Sequence, residues 1–302
     1  MTRRVLVTGA SGFVGRPAIA ALTARGFEVH AVARRIPAAG DCEVTWHAAD
    51  LLDASARGAL LASVRASHLL HLAWYAEPGA FWAARENAAW VAATVGLVDD
   101  FAAAGGSRAT LAGTCAEYDW SAPGPLAEDA PLAPATYYGV CKAATHAVAQ
   151  GLAELAGVSL SWGRIFFLYG PREDERRLVA SVARALAAGE RARTSAGTQR
   201  RDFLHVDDVA GAFAAILDSD VGGAVNVASG EAVAVRRVAE LLAESAGRPD
   251  LLDVGALAER PGDPPQIVAD VTRLREEVGF TPRLELADGL GETVDWWRAR
   301  RG

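Results

Sequence analysis

In the first half of the chain, apolar residues come in short unbroken runs separated by stretches with helical spacing. Arg4–Thr8, Glu28–Ala33, Val44–His47, His68–Ala73, Ala109–Gly113 and Ser159–Phe167 lack the alternation that leaves one face of a strand wet, so they predict strands buried on both faces. Phe13–Arg25, Ser55–Ser67, Phe81–Ala104 and Tyr137–Ala156 read as helices, and Gly26, Gly105-Gly106 and Gly157 close three of them. Strand and helix in turn predict a parallel sheet covered on both sides, the doubly wound, Rossmann-type α/β arrangement.

The pattern changes after Gly170-Pro171. Helices are expected at Arg176–Ala188, Val206–Leu217, Val235–Glu244, Val271–Val278 and Leu286–Arg300, with short strands near Arg201–His205 and Ala224–Val227. The charge run "PREDERR" reads as a solvated loop, and Pro-rich "ERPGDPPQ" (Glu259–Gln266) interrupts the helical pattern. This predicts a dinucleotide-binding domain over 1–167. A smaller C-terminal α/β substrate lobe is expected over 168–302, with some segments returning to the first domain.

The formal net charge of −7 over 302 residues argues against nucleic acid or an anionic membrane as partner. Cys42, Cys115 and Cys141 have no metal-type spacing, so no metal site is expected and free thiols in a reducing cytoplasm are. The start is too short in apolar residues for a signal peptide, and no run of about 18 apolar residues occurs.

"VLVTGASGFVGRPAIAAL" sets Gly9, Gly12 and Gly15 between the first strand and first helix. Glycines there let the backbone approach a pyrophosphate whose charge lies against the helix N-terminal amides. Arg34 and Arg35, at the end of the second strand, stand where an NAD site offers an acid to the ribose, so they favour the 2′-phosphate of NADP, with NAD possible. The other reading of the pair is solvated turn charges. Asp50 in "HAADLLD" can accept from the adenine amino group or cap the next helix.

"TYYGVCK" contains the only lysine of the chain, Lys142. Tyr138 lies four residues before it, on the same helix face, so the ammonium is expected to favour the phenolate. Such a phenol can pass a proton to or from a sugar or alcohol oxygen while hydride moves. Tyr137 is the alternative phenol but lacks the four-residue spacing. Thr114 leaves the fifth strand at the sheet's carboxyl edge, where it can bind the same oxygen or merely bond to backbone.

Together these motifs resemble the extended short-chain dehydrogenase/reductase family of nucleotide-sugar epimerases, dehydratases and ketoreductases, over nearly the whole chain. "TGASGFVG" resembles the family's glycine motif, "ADLLD" its adenine contact and "HLAW" the stretch after strand four. The resemblance implies cofactor contacts from Phe13, Val14, Leu51, Leu72, Ala73, Trp74 and Asn87, and makes Tyr138 the acid/base with Lys142 its partner and Thr114 beside it. "GRIFFLYGP", "RRDFLHVDDVA", "NVASG" and "RPGD" resemble substrate-lobe signatures, with Arg201 and Arg260 implied around a nucleotide diphosphate.

Departures narrow the reading. Dehydratases of the family carry two acids after the threonine; here Cys115 and Ala116 occupy those positions. Glu117 aligns with a family valine, so its carboxylate is expected to point elsewhere. Phe167 replaces an asparagine, and Trp74 replaces an alanine and narrows the sugar pocket with Tyr75 and Trp82. The expected activity is NADPH-dependent reduction of the 4-keto group of a nucleotide-diphospho-6-deoxyhexose. Alternatives are a 4-epimerase holding NAD tightly, reduction of a small ketone or aldehyde, and a non-catalytic NADP sensor. The resemblance also implies a homodimer paired through helices such as Phe81–Ala104 and Tyr137–Ala156.

Overall fold

The computed structural model describes residues 3–37 and 44–300, so Cys42 lies outside the described residues. Strands β1 (Arg4–Thr8), β2 (Glu28–Ala33), β3 (Thr45–Ala48), β4 (His68–His71), β5 (Arg108–Thr114) and β6 (Ser159–Ile165) alternate with helices α1 (Gly15–Ala24), α2 (Ala54–Val64), α3 (Glu86–Ala103) and α4 (Tyr137–Ala156). The chain continues through β7 (Phe167–Tyr169), α5 (Leu178–Ala187), β8 (Ala192–Arg193), β9 (Arg200–Arg201), β10 (Phe203–His205), α6 (Val206–Asp218) and β11 (Gly223–Val227). It ends with β12 (Val233–Ala234), α7 (Val235–Ala246), β13 (Leu252–Asp253), β14 (Gln266–Ile267) and α8 (Leu286–Ala299).

Seven strands form one parallel sheet in the order β11-β6-β5-β4-β1-β2-β3. The unbroken apolar runs have a direct cause. In β1, Val5 and Val7 pack toward α1 and α6, whereas Leu6 packs toward α2, α3 and α4. All three are wholly buried, and each such side chain contributes roughly 1.5–3 kcal/mol. The return of the sheet order at β1, between β2 and β4, opens the crevice at the strands' carboxyl ends where ligands of such sheets bind. β11 completes the sheet beside β6, and α6 packs on α1, so residues 206–227 lie with the first half of the chain. Helices α5, α7 and α8 enclose a separate core around Tyr169, Leu242, Leu290 and Val294.

Several boundaries differ from the sequence pattern. α3 begins at Glu86 and not at Phe81: the residues between form turns, and the Asn87 side chain takes up the carbonyls of Phe81 and Ala84. The strand expected over Ser159–Phe167 divides at Phe166: its amide turns to Val227, and β7 then pairs with β10. Arg177 is extended, so α5 starts at Leu178 and not at Arg176. Val271–Val278 makes a single wide turn over Arg273–Glu277.

Candidate active site

The glycine loop folds tightly on itself and on the end of β4. Gly9 has φ +67°, and a Cβ there would sit 2.8 Å from the backbone of Leu72 and Ala73; on Gly15 it would lie 2.1 Å from the Gly9 carbonyl. Beneath the loop, the buried His71 ring joins Thr8 Oγ1 at 2.7 Å to Thr94 Oγ1 at 3.0 Å, tying β1, β4 and α3 together. Burial pushes that imidazole down to about 3, so it is neutral and acts as a brace. The first turn of α1 carries no acid, and Phe13 and Val14 are half-buried where the loop enters it. Together with Gly12, the loop is a cradle that any side chain would fill and that fits a pyrophosphate.

Arg34 and Arg35 are exposed just past β2. Asp50 is exposed and accepts from the Leu52 amide at 3.0 Å; it does not cap α2, because Asp53 does so through the amides of Ser55 and Ala56. Leu51 beside it is buried.

Thr114, Tyr138 and Lys142 meet where β5 ends against α4. Thr136 caps α4 by accepting from the Gly139 amide at 3.1 Å, and Gly139 itself allows the helix to approach the turn Cys115–Glu117: a Cβ there would be 2.3 Å from the Ala116 carbonyl. Trp74 stands between the two α4 side chains. Its ring meets Tyr138 edge-on with centroids 6.4 Å apart, and the Lys142 ammonium lies 3.8 Å over it. Lys142 Nζ also donates to the Ala112 carbonyl at 2.8 Å. Asn87, wholly buried, accepts from the Trp74 indole at 2.8 Å and donates to the carbonyls of Phe81 and Ala84 at 2.8 and 2.9 Å. It therefore shapes the segment carrying Phe81 and Trp82, whose rings close on Tyr138 at 4.9 and 5.8 Å.

This enclosure reverses one expectation. The Tyr138 phenol is shifted above its ordinary range, not below it: burial dominates, the nearby Thr114 hydroxyl pulls the other way, Glu117 and Cys115 add to the rise, and Arg177 opposes it. Helical spacing brought Lys142 beside Tyr138, but its charge turns to Ala112 and Trp74. Burial lowers Lys142 to about 7, against the pull of Glu117. Arg177 was hidden in the charge run; at the start of α5 its guanidinium lies 5.3 Å over Phe81. No spacing in the sequence links it to Tyr138.

Cys115 and Ala116 are buried in the turn after β5, and burial pushes the Cys115 thiol up to about 12, so it is no nucleophile. The proposed substrate residues of the lobe form a second group. Arg201 is buried, pairs with Asp263 at 2.6 Å and lies 5.5 Å over Phe167; Arg260 is exposed in the same "RPGD" loop. Among the described residues, no cluster of three or more His, Cys, Asp or Glu side chains is placed to hold a metal.

A doubly wound parallel sheet, a glycine cradle at its first strand and a tyrosine–lysine pair on the helix after its fifth define a dinucleotide-binding α/β protein. The chain belongs to the NAD dependent epimerase/dehydratase family, which it matches over residues 5–228. It is 32% identical to the dTDP-6-deoxy-L-talose 4-dehydrogenase (NAD(P)(+)) of Kitasatospora kifunensis, over 96% of this chain and 94% of that one. It is 30% identical to the UDP-glucose 4-epimerase of Mycolicibacterium smegmatis, over 98% of each. Among solved structures, the Thermus thermophilus UDP-glucose 4-epimerase in complex with NAD superposes with a TM-score of 0.85 at 27% identity, covering 98% of this chain and 99% of that one. No helix among the described residues is long and apolar enough to cross a membrane.

Proposed function

We infer that the protein is an NADPH-dependent 4-ketoreductase of a nucleotide-diphospho-6-deoxyhexose. The observation that carries this reading is the gathering of Thr114, Tyr138 and Lys142 where the acid next to them in the chain is already engaged. Glu117, the acid nearest Thr114 in the chain, is occupied by Arg164, Trp162 and the Thr114 amide. Loss of a hydroxyl, as in a dehydratase, would need an acid there; reduction of a ketone does not. The likeness to a 4-dehydrogenase of a dTDP-6-deoxysugar supports the same class.

The glycine cradle would hold the pyrophosphate, Asp50 the adenine, and Arg34 and Arg35 a 2′-phosphate. The bound nicotinamide coenzyme supplies the hydride. A phenol kept protonated by burial is suited to giving a proton, so Tyr138 protonates the C4 oxygen while the Thr114 hydroxyl bonds to it. Lys142 supports the ribose side, and Arg201 and Arg260 bind the diphosphate.

The test follows nicotinamide absorbance with a 4-keto-6-deoxy nucleotide sugar. NADPH is expected to be consumed in proportion to substrate, and Arg34→Ser with Arg35→Ser to weaken NADPH about tenfold or more while leaving NADH within about twofold, from the loss of two charge-assisted contacts. Absence of substrate-dependent oxidation with every base removes the reading. A 4-epimerase, which the mycobacterial relative favours, would instead keep NAD through purification and show no net oxidation.

The same reading includes a cytoplasmic homodimer. Val140, Val148 and Leu155 are 47%, 52% and 89% exposed along α4, an apolar stripe that a second copy would cover. Val148→Glu with Leu155→Glu is expected to halve the mass measured by light scattering; a wild-type monomer at micromolar concentration refutes the pairing.

A further inference from the structure

One buried acid beneath the site has no part in the proposed reaction. Glu117 is wholly inaccessible. Its carboxylate accepts from the Thr114 amide at 2.9 Å, from the Trp162 indole at 2.9 and 3.1 Å, and from Arg164 Nε at 2.9 Å. Arg164, just as deeply buried, also donates to the Tyr118 hydroxyl at 2.8 Å and the Glu128 carbonyl at 2.9 Å. Tyr118 donates onward to Asn226 at 2.7 Å. Removing both charges from water offsets much of their attraction, so an apolar pair of similar volume would hold this region together about as well. Stability alone does not account for it.

The arrangement makes demands on its neighbours that converge on Thr114. A Cβ on Gly113 would lie 2.1 Å from Trp162 Nε1 and 2.8 Å from Glu117 Oε1, so β5 has glycine there because the indole and carboxylate fill the side-chain space. The Thr114 amide is held by Glu117, and its hydroxyl accepts from the Ala116 amide at 3.2 Å. Both ends of the threonine are thus fixed by one short turn. The same carboxylate holds Trp162, whose ring lies 5.8 Å from the Lys142 ammonium.

We propose that Glu117 is a positioning residue: clamped by Arg164, its carboxylate aims the Thr114 hydroxyl at Tyr138 and braces the Trp162 wall of the lysine pocket. It touches no reacting atom.

The proposal rests on the reading of Thr114 as catalytic, and a double-mutant cycle on the full chain separates the two. Glu117→Gln is expected to lower kcat roughly 10- to 100-fold with KM for NADPH within about twofold, the signature of an interaction used only in the transition state. In the Thr114→Ala background the same change should cost less than about threefold, because the two act as one unit. An equal cost in both backgrounds overturns the proposal while leaving the reading of Thr114 intact. A Thr114→Ala protein with wild-type kcat overturns the reading, and this inference with it. Should Glu117→Gln fail to fold with Arg164 left unpaired, Glu117→Met with Arg164→Met removes both charges together. That pair is expected to fold and to show the same loss in kcat; wild-type turnover in it overturns the proposal.

Discussion

Tyr138→Phe is expected to cut turnover by about 10²- to 10⁴-fold, the range that a positioned proton donor supplies, while NADPH still binds. The substitution removes one oxygen and keeps the ring, so the edge-on contacts with Phe81, Trp74 and Trp82 survive. Thermal stability should therefore change little, and the loss should fall on kcat. The phenol's upward shift gives the prediction a direction as well as a size. A group that stays protonated through neutral pH serves reduction, where a proton is given, better than oxidation, where one is taken. Turnover in the reductive direction should accordingly hold across neutral pH and show no alkaline limb from Tyr138 until well above the ordinary phenol range. Rapid-mixing measurement of NADPH oxidation in the variant and the wild type checks both statements. A Tyr138→Phe protein with undiminished kcat would leave a coenzyme-binding protein whose chemistry lies elsewhere.

Much of this was legible in the sequence, for a physical reason. Strands of a parallel sheet are buried on both faces, so β1 and β2 are bounded by the ends of their apolar runs. α4 runs from the residue after its Thr136 cap to the residue before Gly157, whose φ of +70° ends it. The glycine loop was equally legible, because the demand for missing side chains is written in residue type. What was not legible depends on residues distant in the chain. Phe81 and Trp82 look like apolar positions of a helix, but they precede α3 and enclose a tyrosine more than fifty residues on. Arg177 sits in a run of charges that gives no sign which one turns inward. The Glu117–Arg164 pair joins the turn after β5 to β6, and neither residue signals burial alone. The four-residue spacing of Tyr138 and Lys142 put them on one helix face but could not say where the ammonium would point. The sign of the phenol's shift is set by its burial, which the spacing could not show either.

Lys142 yields the second large prediction, in stability against pH. Burial beside Trp74 and Trp162 lowers its folded-state value to about 7, whereas a lysine in the unfolded chain titrates near 10.4. Below about pH 7 both states carry the proton, and the buried charge weighs on the fold. Between about 7 and 10 the unfolded chain still holds a proton that the folded one has lost, so stability rises with pH by up to about 1.4 kcal/mol per unit. The contribution is complete above the unfolded value and disappears as pH falls through the folded one. Other buried groups act in the opposite direction. Glu173, raised by burial to about 8, loses stability as pH rises from the ordinary carboxylate range, and Cys115, raised to about 12, does so above the ordinary thiol range. All of them remain in Lys142→Met, so the wild-type-minus-variant difference isolates the lysine. Urea denaturation of the two coenzyme-free proteins from pH 6 to pH 10 should give a difference flat to about 7 and then climbing in favour of the wild type. Parallel curves over the whole range would mean that the amine keeps its proton in the fold. If the curves diverge as expected, the only lysine of the chain is poised between ammonium and amine at neutral pH, a state arginine cannot reach because it holds its proton throughout this range.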